Sequence, residues 1–498
     1  MLLRPPAASY RLIAHDLGRI MAVVAAAGAF PMVWAIARRE WHSAGALLLM
    51  MGIGLLLAGA AEWLSSERNG TIAWSHGMVV VALAWLLVPA LGALPLYLSH
   101  HYGTVLDAYF DAMSGLTTTG LAVISDVDHL PVSINVWRHT LQFLGGQGIV
   151  LAALTFFSAS GALSLFQAEG REERIFPSVG TTARFIWLVS ISHAVVGITI
   201  LTIDGIVVQG FHAWRSLLHA TTVFMAAFDT GGFSPQSTSI AYYHSPVFEM
   251  MVAVLMVAGA MSFGLHHALW NRRKDLRGNL EIRTILATFA ITLFVTMAGL
   301  AAADVFDGAL GLTRRGFFQV LSAHTGTGFA TVSSAELARW GGLAFAGMTV
   351  AMALGGMSSS TAGGVKSLRV GLTIRSLFDT VREVLLPERT VVSNTFQQYG
   401  RQQLTPRLGQ SVMTVSLLFV ALYLFGAAVA IAYGYDLQSA LFESVSASAA
   451  VGLSVGVTSP DMPALLQIVM IFQMWIGRLE FVAVFALLGF VVSSVWGD

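Results

Sequence analysis

A six-residue motif occurs four times in this chain: TTTGLA at 117–122, DTGGFS at 229–234, TGTGFA at 325–330 and AAVGLS at 449–454. Aligned on Gly120, Gly232, Gly328 and Gly452, the next residue is always Leu or Phe, and the one after it is always small. The match extends upstream. Ser114, Ala226, Ser322 and Ser446 stand six positions before their glycines. Phe110 and Asp111, Phe318 and Gln319, and Phe442 and Glu443 stand ten and nine before, with Thr222 and Val223 in the second copy. A lone TxG reads as a helix-packing or turn position. Four in register are an internal repeat, and a repeat constrains the fold more than any local propensity.

Each copy lies between apolar segments in a chain that is 56% hydrophobic and 11% charged over 498 residues, against roughly 25% charged in soluble domains. Spans of about 20 apolar residues fall at 17–37 and 44–64, ahead of the repeats. Four units of helix, short helix and helix follow: 74–98, 106–116 and 136–157; 185–208, 213–228 and 247–270; 282–303, 313–323 and 343–377; 408–433, 437–447 and 465–492. The middle helix of each unit is too short to span. In hydrocarbon, irregular backbone is tolerated only where protein buries it or where it lines water, so the glycine-ended loops read as re-entrant pore loops. The expected fold is an all-α polytopic membrane protein: four pseudo-symmetric helix–pore loop–helix repeats plus two extra N-terminal transmembrane helices. Its divisions are 1–72, 73–160, 181–272, 280–380 and 404–498.

Zero net charge gives no argument for nucleic acid, and the absence of cysteine excludes disulfides, zinc-thiolate sites and thiol catalysis. The N-terminus lacks a short apolar core followed by a small-residue cleavage site and is expected to be retained. Most of the 27 Lys and Arg gather on the face opposite the loops, in clusters such as Arg171 to Arg174, Arg272 to Arg277 and Arg382 to Arg407. The loop side is left with Arg38, Arg39, Arg138, Arg215, Arg314, Arg315 and Arg339. The basic face is then cytoplasmic, and the loops enter from outside. Asp126, Asp128, Asp304, Asp307, Asp436 and Asp461 on the outer linkers raise local cation concentration, or merely solvate those linkers.

A small cation in a membrane needs oxygen in place of its hydration shell, and rings of backbone carbonyls supply it in potassium-selective pores. Glycine reaches the backbone conformations that aim successive carbonyls at one axis. The candidate filter is Thr117, Thr118, Thr119 and Gly120; Asp229, Thr230, Gly231 and Gly232; Thr325, Gly326, Thr327 and Gly328; and Ala449, Ala450, Val451 and Gly452. Threonine hydroxyls add oxygens, and the C-terminal ends of the short helices favour cations. In the third repeat the stretch GGMSSSTAGG at 355–364 splits an otherwise continuous helix. Its Gly355, Gly356, Ser358, Ser359, Ser360, Thr361, Gly363 and Gly364 cannot face lipid and belong on the permeation path below the filter. A phosphate-loop reading fails, because Val365 separates Gly364 from Lys366. Arg478, inside a span, points at this loop or pairs with Glu480.

These residues resemble the Trk/Ktr/HKT superfamily of cation transporters. WRHTLQFLGGQGIV at 137–150, GGMSSSTAGGVKS at 355–367 and MWIGRLEFV at 474–482 look like its signatures, in order. The two extra N-terminal spans are most similar to the TrkH-type membrane subunit. The resemblance implies potassium uptake, K+ as the transported ion with no cofactor, a homodimer with one pore per protomer in the cytoplasmic (inner) membrane, and a TrkA-type nucleotide-binding ring docked on the basic face. It makes 355–364 the gate, with Arg478 beside it. Glycine at all four filter positions goes with potassium within the family, and serine in the first with sodium. Two places depart: Asp229 and Thr230 stand where two asparagines are expected, and Ala449 and Ala450 lighten the fourth copy. The alternatives are a sodium-permeable or proton-coupled transporter of the same fold and, remotely, an intramembrane hydrolase using Ser358, Ser359 or Ser360.

Overall fold

Hydropathy alone commits most of this chain to helices whose backbone satisfies itself inside a bilayer. The computed structural model describes residues 5–65, 74–124, 126–148, 176, 178–272, 275–306, 308–387 and 394–497. Helices α1 (Ala7–Ala27) and α2 (Ala29–Arg38) are parted by a turn at Gly28, and α3 (Trp41–Leu64) packs back along α1. The first repeat contributes α4 (Trp74–Leu98), α5 (Val105–Leu116) and α6 (Val132–Gln147). The second contributes α7 (Val179–Val207), α8 (Ala213–Phe228), α9 (Pro246–Ala260) and α10 (Phe263–Trp270). The third holds α11 (Leu280–Ala302), α12 (Ala309–Thr325), α13 (Ser334–Ala338), α14 (Gly342–Leu354) and α15 (Ser367–Leu385). A short antiparallel hairpin, β1 (Thr395–Gln397) and β2 (Arg401–Gln403), leads to α16 (Pro406–Ala432), α17 (Leu437–Ser448), α18 (Ala464–Leu479) and α19 (Val482–Trp496). Among the described residues six helices are long and apolar enough to cross a membrane, and two bent pairs raise that to eight.

The short helices α5, α8, α12 and α17 end at residues 116, 228, 325 and 448, just ahead of the four glycines. Their starts are fixed by local chemistry. Thr104 and Asp107 form a reciprocal capping box on α5, at 3.1 and 2.8 Å, and Asp436 accepts the Ser439 N–H at 3.0 Å on α17.

The exit helices correct the sequence reading in one respect. Residues 247–270 and 465–492, drawn as unbroken spans, are each bent sharply, α9 against α10 by 102° and α18 against α19 by 110°. The first exit helix stops at Gly148, and residues 149–157 of its expected span lie outside the described set. All four exits thus break 27 to 29 residues past the repeat's glycine (148 from 120, 261 from 232, 355 from 328, 480 from 452). Two breaks use glycine at positive φ, Gly148 and Gly355. At the second, Ser262 Oγ accepts the Leu265 N–H at 3.1 Å and starts a new helix. At the fourth, Glu480 and Phe481 hold φ of 54° and 72° despite their side chains, with the Glu480 carboxylate bound by Lys366 Nζ at 2.7 Å and by Arg369. Tertiary ion pairs, not local sequence, hold that bend.

Besides its apolar packing on α4, the N-terminal hairpin is tied to α6 by one carboxylate. Pro131 precedes α6 and offers no side-chain cap. Glu40, in the turn between α2 and α3, supplies it: its oxygens accept the Val132 and Ser133 N–H groups at 2.9 Å each and the Ser133 hydroxyl at 2.6 Å. A cap of this kind is worth about 0.5–2 kcal/mol. Glu40→Ala should lower stability by that amount, read as the shift in thermal or denaturant midpoint of detergent-solubilised protein, and an unchanged midpoint would remove the docking role.

Candidate functional site

The backbone leaves each short helix in the same way four times. The residue two before the glycine is left-handed, with φ of 57° at Thr118, 50° at Thr230, 71° at Gly326 and 52° at Ala450. The glycine itself follows at 88°, 68°, 85° and 92° for Gly120, Gly232, Gly328 and Gly452. The turn is closed by one carbonyl per repeat, that of Ser114, Ala226, Ser322 or Ser446. It accepts the N–H of the residue before the glycine, Thr119 at 2.8 Å, Gly231 at 2.8 Å, Thr327 at 2.9 Å and Val451 at 2.9 Å. This is the hydrogen-bond pattern of a helix C-cap continued into a loop.

The four loops meet head to tail. A Cβ on Gly120 would overlap the Gly231 carbonyl oxygen, one on Gly232 that of Thr327, one on Gly328 that of Val451, and one on Gly452 that of Thr119. The contacts run from repeat one to two, two to three, three to four and four back to one, so they close a ring. Neighbouring glycine Cα atoms lie 3.0–3.4 Å from those Cβ positions. No side chain fits at any of the four.

Behind the ring, side chains are committed to holding it. Thr117 Oγ1 donates to the Met113 carbonyl at 2.8 Å, so its 2.8 Å contact with Thr119 Oγ1 is donated by Thr119. Thr325 and Thr327 repeat this, with Thr325 donating to Leu321 at 2.8 Å. The Thr119 and Thr327 hydroxyls therefore have their protons spoken for and keep lone pairs free. The second and fourth repeats carry Asp229 and Gly231, and Ala449 and Val451, at the same places. Thr230 Oγ1 donates to the Asp229 carbonyl at 2.8 Å, and Asp229 accepts from Gln147 Nε2 at 2.7 Å. Nine residues before the glycine, Glu443 accepts the Val455 and Val457 N–H groups at 3.1 Å, and Gln319 accepts the Thr331 N–H at 3.0 Å. Each pins the loop's outgoing leg.

Asp111, at the corresponding place in the first repeat, instead binds Arg138, whose Nε donates at 2.6 Å, and Tyr102, whose hydroxyl donates at 2.7 Å. Arg138, counted on the loop side, is 1% exposed and does not meet solvent. It belongs to a buried ion pair stacked 4.1 Å from the Phe233 ring centroid. Three of the outer carboxylates are likewise occupied: Asp126 binds His129, Asp128 accepts the Ser237 N–H at 2.9 Å, and Asp436 caps α17. The His129 side chain holds the Asp126 carboxyl below its ordinary range. Asp307, Arg171, Arg174, Arg273, Lys274 and Arg389 lie outside the described residues.

The segment between α14 and α15 is a closed loop whose ends pair, Val365 N–H to Ala353, Lys366 N–H to Leu354 and Ser367 N–H to Gly356, at 2.9–3.1 Å. Gly355 (φ 70°) and Gly364 (φ 81°) form its neck, and Gly356 packs on Ala260 and Ala362. Its apex reaches the short-helix ends. Thr361 Oγ1 lies within 3.1 Å of the Phe228 and Gly259 carbonyls and of Thr230 Oγ1. A Cβ on Gly363 would overlap the Ala449 carbonyl, and Gly363 N is 3.6 Å from the Cβ position of Gly326. Ser359 carries φ 54°, its carbonyl accepts the Phe263 N–H at 3.4 Å, and Ser360 Oγ donates to Met357 at 2.6 Å. Glu281 accepts the Ser358 N–H. Arg478 Nη1 donates to the Thr361 carbonyl at 2.7 Å and Nη2 to the Gly145 carbonyl at 2.9 Å. It therefore ties the loop to the first repeat, while Glu480 is held by Lys366 and Arg369.

Three positions escaped the sequence reading. A Cβ on Gly145, Gly259 or Gly477 would overlap the carbonyl of the last short-helix residue, Leu116, Phe228 or Ser448. The signal was present: a glycine 25 to 27 residues past three of the four ring glycines, with Ala353 in the third repeat.

The class defined by this fold and site is an all-α polytopic membrane protein in which four re-entrant loops close a ring above an intramembrane loop. Residues 48–492 match the profile of the TrkH family, described as cation transport proteins. The chain is 31% identical over 417 residues to an uncharacterised cation transporter of Methanocaldococcus jannaschii, covering 83% of this chain and 82% of that one. It is 26% identical over 459 residues to the Trk system potassium uptake protein TrkH of Escherichia coli, covering 90% and 91%. The crystal structure of the potassium transporter TrkH from Vibrio parahaemolyticus shares the fold, with a TM-score of 0.81 at 22% identity over 96% of this chain and 98% of that one. The chain belongs to the TrkH family, within the Trk/Ktr/HKT superfamily, and is a transporter and not an enzyme.

Proposed function

We propose that this protein carries potassium into the cell across the cytoplasmic membrane, with the ring as its selectivity filter and 355–364 as its gate. The closed circuit of contacts through Gly120, Gly232, Gly328 and Gly452 carries this reading. It gives four quasi-equivalent sets of carbonyl oxygens, from 117–120, 229–232, 325–328 and 449–452, that together replace the water around an alkali ion. The Thr119 and Thr327 lone pairs add to them from opposite repeats. The C-terminal ends of α5, α8, α12 and α17 converge there, each equivalent to roughly half a negative charge, so cations are favoured and anions are not.

The gate reading rests on the apex of 355–364, which touches the short-helix ends of repeats two, three and four and reaches repeat one through Arg478. Flux requires this plug to move. Basic residues facing the cytoplasm, among them Arg382, Arg401 and Arg407, are the surface on which a TrkA-type nucleotide-binding ring docks, and the protein works as a homodimer. The Trk system names of the relatives support the first point.

The deciding experiment is ion flux in proteoliposomes. Potassium uptake should exceed sodium uptake, and Gly120→Ser, whose Cβ would overlap the Gly231 carbonyl oxygen, should lower total flux and erode the preference in what flux remains. Arg478→Ala, or shortening 355–364, should raise flux. If flux stays at the wild-type level with intact expression, the loop is packing and not a gate.

A further inference from the structure

One face of α6 carries Asn135, His139, Gln142 and Gly146, spaced by four, three and four residues as a helical stripe requires. Opposite it the second loop runs antiparallel, and every second residue meets a rung. Asn135 Nδ2 donates to the Pro235 carbonyl at 3.3 Å, His139 Nε2 lies 3.2 Å from the Phe233 carbonyl, and Gln142 Nε2 donates to the Gly231 carbonyl. Gly146 leaves room for the Asp229 side chain. The two periods fit: three or four helical residues rise about 4.5–6 Å, and two extended residues advance about 6.6 Å.

The Gln142 rung explains the doubled glycine of the second motif. Gly231 is absent from the positive-φ positions, so the backbone does not demand glycine there. What glycine gives there is room for the rung, because a Cβ on Gly231 would lie 2.7 Å from Gln142 Cδ and Nε2 and would push the amide aside. The rung is also asymmetric. At the matched place in the fourth repeat, 22 positions past Gly452, stands Met474, buried like Gln142 but with no side-chain N–H. Of the four carbonyls that precede the ring glycines, that of Gly231 is the one bonded by a neighbouring side chain among the described residues.

A carbonyl oxygen that already accepts an N–H presents a weaker field to a cation, and the number and field strength of carbonyl dipoles bear on K+ over Na+ preference. We propose that Gln142 is a specificity-determining positioning residue. By holding the Gly231 carbonyl it fixes the second loop's register and softens one quadrant of the ring, which favours the larger alkali ion. This rests on the reading of the ring as the ion site.

Gln142→Met tests it, since methionine stands at the matched place in the fourth repeat, keeps the volume and removes the donor. In proteoliposomes the K+ over Na+ preference should fall about 3- to 10-fold, roughly what one hydrogen bond is worth, with cation flux retained. A wild-type preference in Q142M overturns the proposal. If Q142M does not fold, Gln142→Glu keeps the shape and can donate only when protonated. Its preference should then become pH-dependent, nearest wild type in acid, and a wild-type preference at every pH overturns the proposal. Absence of alkali-ion flux in the wild type would overturn the ring reading itself, whereas wild-type K+ flux with unaltered Q142M and Q142E preference overturns only this inference.

Discussion

Gly328→Ala abolishes most ion flux while the protein still inserts and folds. An alanine there would place its Cβ inside the Val451 carbonyl oxygen, far within the ordinary C···O separation of about 3.3 Å. It would also hold φ of 85°, a conformation that costs a side-chain-bearing residue about 1–3 kcal/mol. The ring relieves both by opening between repeats three and four. Converted at 1.4 kcal/mol per decade, that strain alone corresponds to about a 5- to 140-fold loss of intact rings. Gly59→Ala is the control, since nothing lies within 4 Å of its Cβ position in α3. Equal flux from G328A and G59A would mean that the ring does not lie on the ion path.

Arg138→Ala produces the largest loss of stability. The Arg138 and Asp111 side chains are 1% and 0% exposed, and removing one partner of such a pair leaves a charge buried alone, at about 3–5 kcal/mol. Tyr102 still donates to Asp111 but brings no charge. The loss should appear as a collapse in the yield or the thermal midpoint of monodisperse protein in detergent. Joint replacement, Arg138→Met with Asp111→Leu, should recover most of it, because two apolar residues carry no desolvation penalty. If single and double variants are equally unstable, the site is sensitive to shape and not to charge. Because the guanidinium also lies over Phe233, the residue after Gly232, R138A should disturb the second loop as well.

Much of the site could be read in the chain because repetition multiplies weak signals. One glycine after a threonine means little, while four with a matched residue six positions upstream mark a common backbone path. Of the broken exit helices only the one at 355–364 was read from the sequence, and glycine alone did not suffice, since Gly148 marks a break inside a span drawn as continuous. At Glu480 and Phe481 the left-handed backbone is stabilised by Lys366 and Arg369, more than a hundred positions away, and no local pattern encodes that. The burial of Arg138 was illegible for the same reason: its partner stands 27 positions away, and nothing local marks the two as a buried pair.

The sequence by itself determined the membrane class, the fourfold unit and the four glycines on which its copies align, because hydropathy and periodicity are written residue by residue along the chain. Only the tertiary structure decided which carbonyl faces which glycine, which side chains brace the ring from behind and what the intramembrane loop touches. Those are contacts between distant segments, set by how eight or more helices pack at once, and their partners carry no mark of one another until the chain has folded.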